Sequence, residues 1–153
     1  MRKRSNYRPK GVILDTMNHV MRGFQPVRDH GKSTTLKIKN HQAMSCMVTG
    51  VGNRDDIDVL IAAMNVAEAL AITASLGDEY RAEITAAQDA IVSMGKRGIA
   101  KSKFLFTGPE LNAMNMGMEV HDAQLDACTV GELEMALDFV AREIRAKRAR
   151  AIA

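Results

Sequence analysis

Asn115, Glu119, Asp122 and Asp126 follow steps of four, three and four residues, so they share one face of a helix. An i, i+3 carboxylate pair such as Glu119/Asp122 can hold Mg²⁺, with water completing its shell. A metal-dependent all-α nucleotide hydrolase would need a matching pair on a neighbouring helix, and Asp55/Asp58 is the best candidate. Those two acids stand at a helix start, where capping and the helix dipole favour carboxylates in any case. The Glu119–Asp126 row reads more simply as the solvated face opposite the apolar stripe Met114, Met118, His121 and Leu125.

His121 lies inside that stripe. A neutral imidazole sits in a core when its nitrogens find partners, and a metal would want further His or Cys at ligand spacing. His19, His30 and His41 are scattered singly, and Cys128 is two turns away, which favours a core or interface histidine. Asn65 and Glu68 are the polar pair in the most apolar helix. A buried Glu68 carboxylate calls for a partner, for which His41 or His121 could serve. It reads either as an active-site acid or as part of a network that fixes helix register. Glu68, Glu119, His121 and Asp122 are therefore the candidate polar site, with no catalytic set and no metal or other cofactor assigned.

Nucleophilic and phosphate-loop chemistry find no support. Cys46 and Cys128 both fall at helical core positions and suit a reducing compartment. His30-Gly31-Lys32-Ser33-Thr34 has no glycine five residues before Gly31 and no strand ahead of it.

Charge is sorted along the chain. Residues 1–10 and 142–153 hold ten of the 21 basic residues and one of the 18 acidic ones, a net +9, so the remainder is net −6. Arg2, Lys3, Arg4, Arg8 and Lys10 surround Tyr7, offering phosphate contacts and one stacking ring. Arg145, Lys147, Arg148 and Arg150 close the chain in numbers beyond what a helix dipole requires. These ten residues are the candidate partner-binding set. They could meet nucleic acid with salt-dependent affinity, an acidic protein surface, or another copy's acidic body.

The elements that must position these groups are helices. With 153 residues, 46% apolar, 11 Met and 4% aromatic, the composition suits close-packed helices rather than a β-sandwich. Residues 1–11 read as a flexible basic arm and 12–150 as one all-α domain, a single compact bundle of five to six helices. A first helix fits Leu14–Phe24. The second runs from a Ser33 or Thr34 cap to Thr49, with Leu36, Ala43, Met44 and Met47 inward. A third, capped by Asn53 or Asp55, is apolar nearly all round (Ile57, Leu60, Ile61, Met64, Leu70, Ile72) and belongs at the centre. The fourth spans Asp78 to about Gly95 with Tyr80, Ile84, Ala87, Ile91 and Met94 inward. Ile99–Thr107 is a connector, extended at Phe104–Phe106. The fifth starts at Pro109. The sixth follows a Thr129/Glu132 capping box and carries Leu133, Ala136, Leu137, Val140 and Ile144 as its stripe. Stripes on six helices invite a homodimer. No secretory leader is expected, and the apolar run Val59–Ala74 is broken by Asn65 and Glu68 and short for a bilayer, so the expectation is a cytoplasmic protein with no membrane partner.

The stretches KRSNYRPKGVILDTMNHV, KNHQAM, RDDIDVLIAAMNVAEAL, FTGPELNAMNMGMEVHDAQLDACTVGELEMAL and EIRAKRAR resemble a group of small uncharacterised proteins encoded by tailed phages and prophages of Gram-negative bacteria. The resemblance covers nearly the whole chain and carries over no functional residue. It implies a phage accessory protein outside the capsid, acting on the host cell or its defences. The expected function is therefore a non-enzymatic protein that binds a host macromolecule, whether a protein or a protein–nucleic acid complex. A small nucleic-acid-binding protein and the metal-dependent hydrolase are the alternatives.

Overall fold

The structure, a computed structural model, describes residues 23–148. They are all-helical: a 3₁₀ turn at Val27–His30, α1 Lys32–Thr49, α2 Arg54–Ala74, a 3₁₀ turn at Asp78–Tyr80, α3 Arg81–Lys101, α4 Gly108–Ala127 and α5 Val130–Arg145. No strand occurs among the described residues; an isolated antiparallel bridge joins Pro26 to Thr129. The expected helix at Leu14–Phe24 and the basic arm at 1–11 fall outside the description, apart from the last two residues of that helix.

Three helices start with reciprocal capping boxes, each satisfying two backbone N–H groups that the helix cannot use. Asn53 caps α2 against Asp56, Thr107 caps α4 against Glu110, and Thr129 caps α5 against Glu132. Pro109 stands in the first turn of α4, just after the Thr107 cap. α1 departs from expectation: Gly31, in the left-handed conformation, is its N-cap, and Ser33 is buried inside the first turn. Leu36, expected inward, is more than a third exposed, as α1 is covered mainly on its Ala43/Met44/Met47 side.

α3 also differs. It begins at Arg81, leaving Tyr80 exposed, and runs through Gly95 and Gly98 to Lys101. Each glycine costs a helix interior about 1 kcal/mol, but both are buried, Gly98 directly against the Phe104 ring. Phe104 and Phe106 form no strand and pack against the core as half-buried side chains.

α2 contacts all four other helices. On one side Leu60 and Met64 meet Met47, Ile91, Met94 and Met114; towards its end Leu70 meets Val27, Leu125, Cys128 and Ala136. At 21 residues, α2, which includes the apolar run Val59–Ala74, is long and apolar enough to cross a bilayer by length and composition alone, a test that a buried core helix also passes. Here its apolar surface is buried against its neighbours: Leu60, Met64, Ala67 and Leu70 are fully enclosed. α3 and α4 approach most closely at Gly117, where an added Cβ would lie 2.6 Å from Ala87 Cβ and 2.8 Å from Met64 Sδ. Cys128 is buried as expected and its thiol is pushed up to about 11, chiefly by burial, whereas Cys46 is only partly covered on α1.

Candidate functional site

The carboxylate row of α4 packs beside α1 and is spent on cross-links to it. His41 Nε2 lies 2.7 Å from Asp122 Oδ2, and Lys37 Nζ donates to Asp126 Oδ1 at 2.6 Å. Asn115 and Glu119 on the same face are exposed. Glu68 projects from α2 on another side of the molecule, where Gln88 Nε2 of α3 donates to its Oε2 at 3.0 Å. The partner of Glu68 is thus a neutral amide, neither His41 nor His121, and its carboxylate is half-buried rather than enclosed. Among the described residues no group of three or more His, Cys, Asp or Glu converges to hold a metal ion. Asp55 and Asp58 are exposed at the start of α2, where Asp55 N–H is capped by Asn53.

His121 occupies the core position its stripe predicts, 3% exposed. Gln124 Nε2 donates to the carbonyls of Ala67 and Leu76 at 2.9 and 2.8 Å, which turns Oε1 towards His121 Nδ1 at 3.4 Å. Only a hydrogen on Nδ1 satisfies that contact. Burial lowers the imidazole to about 4, against the opposing effects of Gln124 and Asp122 and with a small lowering from Lys37. His121 is therefore a neutral member of a network that ties α4 to the end of α2.

Among the described residues two depressions offer binding surfaces, and α5 contributes to both. Of its sixteen residues only Ala136 is fully buried. On one side, an open trough of about 420 Å³ runs between α5 and α3 over α2. Its floor is Ile61, Met64, Asn65, Glu68 and Ile72; α3 contributes Gln88 and Val92; α5 contributes Phe139, Val140, Glu143 and Ile144. Ile72 and Ile144, expected inward, are 40% and 54% exposed because nothing among the described residues closes the trough. Asn65 and Glu68 were the sequence signal for it, as polar residues interrupting the most apolar helix.

On the other side α5 ends in exposed cations. Arg142 and Arg145 line a shallow depression with Thr73, Met135 and Asp138. Arg142, Arg145 and Lys147 make no ion pair with the described residues. Arg148 instead turns back on Glu143, donating through Nε and Nη2 at 2.7 Å each, which holds that carboxyl below its usual range. Of the proposed partner-binding set, Arg145, Lys147 and Arg148 are exposed at the end of α5, Arg145 beside the shallow depression and Arg148 beside the trough. Arg2, Lys3, Arg4, Tyr7, Arg8, Lys10 and Arg150 lie outside the described residues. Comparison with protein families, with curated proteins and with solved structures returns no significant match to this chain.

Proposed function

We propose that this chain is a non-enzymatic phage accessory protein that binds a host protein, or a host protein–nucleic acid complex, through the cationic end of α5. The observation that supports it most is the exposed set Arg142, Arg145 and Lys147, which make no ion pair among the described residues. By contrast, the carboxylates that could have made a catalytic centre are separated or cross-linked. Asp138 and Glu143 interleave with these cations, which suits the mixed charge of a protein surface better than an unbroken phosphate track. In this reading residues 1–11 act as a second basic contact beside a compact helical bundle, the protein works in the host cytoplasm, and blocking a defence complex or redirecting a host enzyme is its task.

The test is affinity capture from phage-infected Gram-negative cells, with and without nuclease, using the full chain and an Arg142→Glu/Arg145→Glu/Lys147→Glu variant. A partner that survives nuclease and is lost with the variant supports the proposal. Equal capture by both proteins overturns it, and a partner lost with nuclease moves the assignment to nucleic acid.

A further inference from the structure

We propose that the exposed side of α5 beside the trough is an interface between two copies of this chain, in which the α5 helices pair antiparallel along Leu133, Leu137, Val140 and Ile144. Those four follow steps of four, three and four residues, the spacing of a two-helix seam rather than of a broad core-facing stripe. The fold uses one edge of the seam and leaves the other. Leu133 and Val140 are half-buried against α2, while Leu137 and Ile144 are 49% and 54% exposed. Ile72 extends the same apolar surface across the floor.

Charge selects the occupant and its direction. The first half of α5 carries Glu132 and Glu134 and no base. The second half, with the turn that follows, carries Arg142, Arg145, Lys147 and Arg148 against Asp138 and Glu143, of which Arg148 is paired with Glu143. Antiparallel pairing about a two-fold axis sets each acidic half beside the other copy's basic half and opposes the two helix dipoles, whereas parallel pairing sets like against like. One self-complementary patch on each copy is what a two-fold dimer requires. By the 100° step of the helix Arg142 stands opposite the seam, whereas Arg145, about 100° round from Ile144, flanks it. Arg142 stays outward in the dimer, and Arg145 lies at the edge of a paired stretch about 24 Å long, beside the other copy's acidic half.

Sedimentation equilibrium of the isolated full chain, from about 1 to about 100 μM, covers weak to moderate dimers and needs no host partner, so its outcome is independent of the capture experiment. Dimerisation is expected. Leu137→Glu and Ile144→Glu, which bury a carboxylate in the seam, are expected to raise the dimer Kd about a hundredfold or more while the helical circular dichroism is kept. Val48→Glu, on the exposed side of α1, leaves it unchanged. A chain monomeric throughout, or seam variants that associate like wild type, overturns the interface. Glu134→Arg sets a cation against the basic half and weakens the antiparallel dimer; an unchanged Kd overturns the antiparallel arrangement.

Discussion

Arg97 and Glu110 meet in a two-pronged ion pair that closes the connection between α3 and α4. Nη1 donates to Oε1 at 2.9 Å and Nη2 to Oε2 at 2.6 Å, while Nη2 also donates to the Leu105 carbonyl at 2.8 Å. Glu110 Oε2 accepts the Thr107 N–H at 2.8 Å as well, so one carboxylate serves both the pair and the cap of α4. The Arg97 hydrogen bonds are the main reason that Glu110 is held below the usual carboxyl range.

Glu110→Gln is expected to destabilise the fold by about 1–2 kcal/mol at neutral pH, the cost of a weakened cap and a lost charged hydrogen bond. A carboxyl depressed in the folded state adds stability above its unfolded range and loses it as pH falls through the folded value. The gap in melting temperature between wild type and variant should therefore shrink below about pH 4. A gap unchanged between pH 7 and pH 3 would argue against the pair as its source.

His121 gives a second acid dependence in a different window. Its folded state resists the proton down to about 4, against an ordinary value of 6.5. The stability it allows is complete above pH 6.5 and declines between 6.5 and 4, by about 3 kcal/mol in all. His121→Gln should flatten the stability curve in that window. Proton NMR of the folded protein should show an imidazole still neutral at pH 5.5, and a midpoint near 6.5 would sink the assignment.

Gly117→Ala is expected to cost about 1–3 kcal/mol despite alanine's higher helix propensity, because the new Cβ meets Ala87 Cβ at 2.6 Å. Ala87→Gly in the same chain should restore part of the loss. Denaturant midpoints of the two single variants and the double variant measure the coupling, and strict additivity would remove the close approach as its cause.

Much of this fold is legible in residue order because local rules agree with the global packing. The Asn53 and Thr129 caps, Pro109 in the first turn of α4, and the Met114/Met118/His121/Leu125 stripe each stand where spacing puts them. The errors share one cause, which is tertiary contact. Gly95 and Gly98 look like helix stops, but burial in the α3 packing keeps them helical. Ile72 and Ile144 look inward by periodicity, but periodicity does not reveal that the neighbour which would cover them is lacking within the described fold. The polar site was legible only in part. Glu119 and Asp122 do share a face, yet the pairing of Asp122 with His41 joins residues 81 apart in the chain, and no local spacing encodes that.

α5 rests on α2 for nearly all its support, and its first turn is pinned by Val27 N–H to the Cys128 carbonyl and by Val130 N–H to the Gln25 carbonyl, at 3.0 and 2.8 Å. The far end has no such tether among the described residues, so the helix is attached like a flap at one edge. Opening it would expose Ala136 and Phe139 but leave the Met-rich centre closed. Backbone amides from Ala141 to Arg145 should therefore exchange with solvent deuterium through that local opening, well before those of α2, whose release requires the entire chain to unfold.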